Sequence, residues 1–288
     1  MLDPSFLRKL DRLSLITRRA MRGELQGERR SPRRGASVEF ADFRPYASGD
    51  DIRQIDWNLY ARAERFYLKL FVAEEELNLH LLIDTSASMD WGEPNKLRYA
   101  QQLAAALGYI ALSNLDRVSV HAIGTGSAQS LSGVRGKRGA IPLFNFMQNL
   151  QAGGTTQLAQ RCRQYVMNVR NPGPLLLCSD LLDPNWREAL TALTTRPFEV
   201  TVMHILAPQE LNPELEGEFK LNDAEGGPSI EVSADSSLLE RYRANLAAWQ
   251  REVESYCNGR NMTYVAIDTA LPVEELVISQ LRSRRVVR

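Results

Sequence analysis

From residue 78 onward, short apolar runs alternate with longer stretches whose apolar residues recur every three or four positions. The short runs, at 78–84, 118–123, 174–179, 199–206 and 262–267, read as buried strands. The longer stretches, at 95–113, 141–150, 157–169, 186–194, 237–257 and 273–281, read as helices. In the first of these helices Leu97, Ala100, Leu103, Ala104, Leu107 and Ile110 share one face. Strand alternating with helix predicts an α/β fold: a mostly parallel, Rossmann-like sheet flanked by helices. Gly124, Gly126 and Ser127 form a turn before a short edge strand at 128–131. Thr155 or Thr156 is expected to cap the helix over 157–169. Residues 207–236 break the alternation: Pro208, Pro213, Gly217, Gly226, Gly227 and Pro228 flank two strand-like runs, a hairpin inserted in the domain.

The first 77 residues follow another pattern. Asp3-Pro4 is a helix start, a capping carboxylate followed by proline at the first helical position. Phe6, Leu10, Leu13 and Ile16 recur at helical spacing among Arg8, Lys9, Arg12, Arg18, Arg19 and Arg22. Such a basic amphipathic helix suits docking on its own domain, on a partner, or peripherally on an anionic membrane surface, the first being favoured. Residues 37–77 alternate as half-buried strands around the turn Ala47-Ser48-Gly49-Asp50-Asp51. The chain therefore divides into a basic helix and linker (1–36), a β-rich extension (37–77) and the α/β domain (78–288). Within the extension Arg44, Asp50, Asp51, Arg53, Asp56 and Arg62 form a dense acid–base set, expected to be a structural ion-pair network.

Composition narrows the function. Formal net charge is zero, but residues 1–36 carry ten basic and four acidic side chains. The basic segments at the two ends lack the interleaved aromatics of a nucleic-acid surface, so no nucleic-acid partner is expected. Cys162, Cys178 and Cys257 are scattered, without a Cys-x-x-Cys pair, and read as reduced thiols. The chain lacks the roughly 18 consecutive apolar residues of a membrane span, and the N-terminus lacks the apolar core of a signal peptide. The expected location is the cytoplasm.

The candidate chemistry gathers at strand ends. Leu81-Leu82-Ile83-Asp84-Thr85-Ser86-Ala87-Ser88 runs from an apolar strand into a carboxylate and hydroxyls. Alone it reads equally as a helix-capping turn or as a set of hard oxygen ligands suited to Mg²⁺. Two further strand or loop ends add donors: Gly153-Gly154-Thr155-Thr156, and Ser179-Asp180. In this order and spacing the set resembles the metal-ion-dependent adhesion site of von Willebrand factor A domains. That resemblance implies a von Willebrand factor A-like fold for residues 78–288. It also implies that Asp84, Ser86, Ser88, Thr155 and Asp180 hold Mg²⁺ or Mn²⁺. Hydroxyls would bind directly and the carboxylates directly or through water, with Thr155 matched because it follows the glycine at once. A second resemblance covers nearly the whole chain. Ser37-x-Glu39-Phe40, Arg44-Pro45-Tyr46-x-x-Gly49-Asp50-Asp51-x-Arg53-x-Ile55-Asp56-Trp57, Ala61-Arg62, Glu74-Glu75 and Asp84-x-Ser86-x-Ser88-Met89 are similar to the bacterial domain of unknown function 58 family. It implies an adaptor working with a MoxR-type AAA+ ATPase or its client. It assigns no chemistry to Arg44, Asp50, Arg53, Asp56 or Trp57.

Enzyme readings fit less well. Asp84 could be the nucleophile of a metal-dependent, phosphatase-like hydrolase, but Ser86 stands where the second carboxylate would be. There is no Gly-x-Ser-x-Gly elbow, and Gly133-Val134-Arg135-Gly136-Lys137 lacks P-loop spacing. His80, His121 and His204 sit singly on three strands and are expected to be hydrogen-bonded core residues. The expected function is non-catalytic: a metal-dependent protein-binding module.

Overall fold

A computed structural model describes residues 2–16, 38–73, 77–124, 129–155, 157–215, 217–222, 226 and 229–288. The chain divides into two units, 1–21 together with 77–288, and 22–76.

The large unit is α/β. Its six-stranded sheet comprises β3 (Asn78–Asp84), β4 (Arg117–Ile123), β5 (Ser130–Arg135), β6 (Pro174–Ser179), β7 (Glu199–Leu206) and β10 (Thr263–Asp268), in the order β10-β7-β6-β3-β4-β5. All neighbours run parallel except the edge strand β5, which is antiparallel to β4. That edge strand, expected over 128–131, overlaps that span but runs on to Arg135.

Side chains alternate across the strands and fill two cores, one on each face. Leu79, Leu81 and Ile83 face the cluster built with α1 (Pro4–Leu10), α3 (Lys96–Ser113) and α4 (Ala140–Asn149). Leu82, Leu175, Leu177, Val200 and Val202 face the cluster built with α5 (Leu158–Asn168), α6 (Trp186–Thr194) and the end of α8 (Ser236–Asn258). The chain closes on Val273–Glu275, a π-helical turn Leu276–Gln280 and Leu281–Ser283. Between β7 and α8 lie a one-turn helix α7 (Pro208–Leu211) and the antiparallel hairpin β8 (Gly217–Leu221) with β9 (Ile230–Ala234).

The N-terminal helix begins as its sequence implies, with Asp3 accepting from the Ser5 N–H and Pro4 in the first turn. It packs on its own unit: Phe6 and Leu10 join the first core. Leu15 then forms an antiparallel bridge with Val287, so the basic tail is folded back beside residues 14–16. The expected threonine cap on α5 is corrected. Its N-cap is Gln157, without a side-chain bond, and the Leu158 N–H is taken instead by Asp183 Oδ2 at 2.9 Å. Thr156 lies outside the described residues.

The small unit pairs β1 (Val38–Pro45) with β2 (Tyr67–Ala73), antiparallel, with a register shift between Phe40 and Asp42. A 3₁₀ turn, Ile52–Gln54, and α2 (Trp57–Ala63) lie between them, so the extension is not purely β. The acid–base set acts partly through caps: Asp51 accepts from the Arg53 N–H, and Asp56 from the Asn58 and Leu59 N–H groups. Arg44 pairs with Asp50 at 2.8 Å. Trp57, Tyr60 and Phe66 form a ring cluster, with Tyr60 stacked on Phe66 at 4.5 Å.

Candidate metal centre at the sheet's switch point

The strand order locates the site. From β3 the chain crosses to β4 on one side, whereas from β6 it crosses to β7 on the other. β3 and β6 are neighbours, so the loops leaving their carboxyl ends diverge and open a crevice between them. Asp84 is the last residue of β3, and Ser179 is the last of β6.

Asp84 is completely buried. Its Oδ1 accepts from the Ser86 N–H at 3.0 Å, and its Oδ2 accepts from the Ser179 hydroxyl at 2.6 Å. The Ser179 hydroxyl in turn accepts from the Leu181 N–H at 2.9 Å. Burial first, then the nearby Asp180 carboxylate, raises the Asp84 carboxyl well above the ordinary carboxylate range, against the hydrogen bonds from Ser179 and Ser86. Ser86 leads into a single 3₁₀ turn, Ala87–Met89, which folds the Ser88 hydroxyl back to 3.0 Å from the Ser86 hydroxyl.

The glycine loop is stitched to this turn through the backbone. The Gly153 N–H donates to the Thr85 carbonyl at 2.9 Å, and the Ala87 N–H donates to the Gly154 carbonyl at 3.1 Å. Gly154 has φ +78°, a region that side-chain-bearing residues avoid, and the loop needs it to present both bonds. Thr155 follows directly and is exposed. Asp180 is buried on the far side. Its Oδ2 meets Lys96 Nζ at 2.8 Å, and its backbone carbonyl accepts from His204 Nε2 at 3.1 Å.

The structure thus carries Asp84, Ser86 and Ser88 on one turn, ties the loop holding Thr155 to that turn, and places Asp180 on the neighbouring strand end. The donor set fits a small hard cation. Hydroxyls and carboxylates are the hard oxygen donors Mg²⁺ takes, and the Ser86 and Ser88 hydroxyls lie together on one turn, hydrogen-bonded to each other at 3.0 Å. Two buried carboxylates lie beside them; burial first, then Asp180, disfavours the charged form of Asp84, which a cation bound nearby would favour instead.

Ser179, read from the sequence beside Asp180, donates to Asp84 Oδ2. Two participants escaped the sequence reading. Lys96 is fully buried and bridges Asp180 and Glu210, with Glu210 Oε1 at 2.6 Å. Lys96 had a legible signal: with Ala100, Leu103 and Leu107 it continues the apolar stripe of α3, where a lysine is out of place. Glu210 had none beyond helix-start chemistry; its Oε2 accepts from the Ala207 N–H at 2.7 Å.

Together these features define an α/β domain with Asp84, Ser86, Ser88 and Ser179 hydrogen-bonded at the switch point of a mostly parallel sheet. The model of the family described as "Protein of unknown function DUF58" matches residues 42–253, and the chain belongs to that family. Similar curated proteins include uncharacterized proteins Rv1480 of Mycobacterium tuberculosis and Mb1516 of Mycobacterium bovis. Each is 27% identical over 274 residues, covering 93% of this chain and 86% of the relative. Similar solved structures include the conserved hypothetical protein BatB from Bacteroides thetaiotaomicron, at 17% identity and TM-score 0.44, covering 73% of this chain and 98% of that one. The SpRpn10 VWA domain is similar at 12% identity and TM-score 0.36, covering 72% of this chain and 95% of that one.

Proposed function

We propose that this protein is a non-catalytic, divalent-cation-dependent protein-binding module built on the plan of a von Willebrand factor A domain. The observation that carries the reading is the gathering at the switch point of two hydroxyls, Ser86 and Ser88, hydrogen-bonded to each other on one turn, beside two buried carboxylates. Ser86, Ser88 and Thr155 would be the hydroxyl ligands. Asp84, with both oxygens already accepting hydrogen bonds, would act through water, as would Asp180. When bound, Mg²⁺ or Mn²⁺ supplies an electrophilic position for an acidic side chain of a partner. The same bonds on Asp84 disfavour the hydrolase alternative, because a nucleophilic carboxylate needs a free oxygen facing its substrate.

The partner we favour is a MoxR-type AAA+ ATPase or its client in the cytoplasm, on the strength of the family signature around Arg44–Trp57 and Asp84–Met89. Among the described residues, no helix is long and apolar enough to cross a membrane. The test is calorimetric titration with MgCl₂ and MnCl₂, paired with capture of the MoxR-type ATPase of the same organism with and without EDTA. Asp84→Ala should abolish the cation binding and the cation-dependent capture. Capture at full strength in EDTA would sink the metal bridge.

A further inference from the structure

Lys96 is the first residue of α3, and it is costly there on two counts. A cation at a helix N-terminus opposes the macrodipole. Its side chain also continues the apolar stripe that buries Ala100, Leu103 and Leu107, where leucine or methionine would pack without charge. Burying an ion pair, moreover, gains little or no stability over an apolar replacement. The ammonium is nevertheless fully enclosed, 2.8 Å from Asp180 Oδ2 and 2.6 Å from Glu210 Oε1, and Glu210 is itself anchored on the Ala207 N–H. Packing does not explain this arrangement, whereas its position behind Asp180 does.

We propose that Lys96, shared between Asp180 and Glu210, is a positioning residue that sets how much negative charge Asp180 offers a divalent cation and holds Asp180 Oδ2 back from direct ligation. This rests on reading the switch-point donors as a cation site. One ammonium divided between two carboxylates leaves Asp180 partly anionic. Without Lys96, Asp180 Oδ2 is released while Oδ1 keeps the Leu182 N–H at 3.3 Å, and a bound ion meets a carboxylate no longer shared with an ammonium and is gripped more tightly. Without the charge on Glu210, Lys96 is committed wholly to Asp180, and the site loses attraction for a cation. The two substitutions therefore push affinity in opposite directions, which a purely structural role cannot do.

The experiment is isothermal titration of the full chain with MgCl₂ and with MnCl₂, for wild type, Lys96→Met and Glu210→Gln. Lys96→Met should bind roughly tenfold tighter or more, the order expected when one unit of like charge is removed beside a partly screened site. Glu210→Gln should bind several-fold weaker, by about the same electrostatic argument in reverse. If Lys96→Met does not fold, Lys96→Gln replaces it with the same expected sign, and Glu210→Gln, whose carboxylate lies at the rim at 16% exposure, carries the opposite arm. Wild type that binds while both variants match it, or both bind more weakly, overturns the role of Lys96 and leaves the cation site standing. Wild type that binds neither ion overturns the site itself, and this proposal with it.

Discussion

His80 shows how completely single residues are fixed in this fold. It lies buried on β3, with Nε2 3.0 Å from the Asn171 carbonyl and Nδ1 2.6 Å from the Tyr165 hydroxyl. A carbonyl can only accept, so Nε2 carries the proton and Nδ1 accepts from Tyr165. Burial pushes the ring from its ordinary 6.5 down to about 4. The unfolded chain then binds more protons than the folded one between those values. The stability tied to the neutral ring is fully present above pH 6.5 and is lost as pH falls toward 4. The span corresponds to roughly 3 kcal/mol. Urea unfolding from pH 4.5 to 7.5 should show this slope in wild type and a visibly flatter one in His80→Gln; identical slopes would remove His80 as the cause. Legibility differed from residue to residue. Asp84, Ser86 and Ser88 could be read because they follow one apolar run within five positions. Lys96 was legible only as a lysine out of place on an apolar stripe, and its role with Glu210 was not, because that appears only when α3 and α7 meet behind Asp180.

Among the elements, the period of the apolar pattern revealed type better than partnership. The strands and α3 were legible because a buried strand and an amphipathic helix write their own spacing into the chain. The order β6-β3-β4, which creates the crevice, was not, since it is set by crossovers that no local pattern records. The helix α2 escaped because its start is fixed by the Asp56 cap rather than by an apolar stripe; Trp57 at its first position is 60% exposed. The N-terminal helix was legible, and its docking surface is now visible. Seven residues cannot sustain a helix alone in water. Its stability must come from Phe6 and Leu10 in the core and from Asp11, which meets Lys137 and the Tyr109 and Ser113 hydroxyls. Leu10→Ala should therefore cost about 2–5 kcal/mol in chemical denaturation of the full chain. A loss under about 1 kcal/mol would mean that the helix is not docked in solution.

At the scale of the molecule, the large unit is one sheet with a packed core on each face, and its donors come from the ends of two central strands and from the loop joined to them. An unfolded chain cannot assemble donors from positions 84 to 180, so an ion bound there stabilises the native state by mass action. At 100 times its dissociation constant that is about 2.7 kcal/mol. For a unit of this size it raises the melting temperature by about 5–10 °C. The size of the ion should matter as well. Ca²⁺ prefers oxygens at about 2.3–2.6 Å and would need cis ligands about 3.3–3.7 Å apart, whereas Mg²⁺ needs about 3.0 Å; Ser86 and Ser88, hydrogen-bonded at 3.0 Å on a 3₁₀ turn with backbone ties, need to move less for the smaller ion. Differential scanning calorimetry at equal ion concentrations should therefore show Mg²⁺ and Mn²⁺ raising the transition more than Ca²⁺, and Asp84→Asn should remove the difference. Equal shifts from all three ions, or a shift retained in Asp84→Asn, would place the binding at scattered surface carboxylates and not at the switch point.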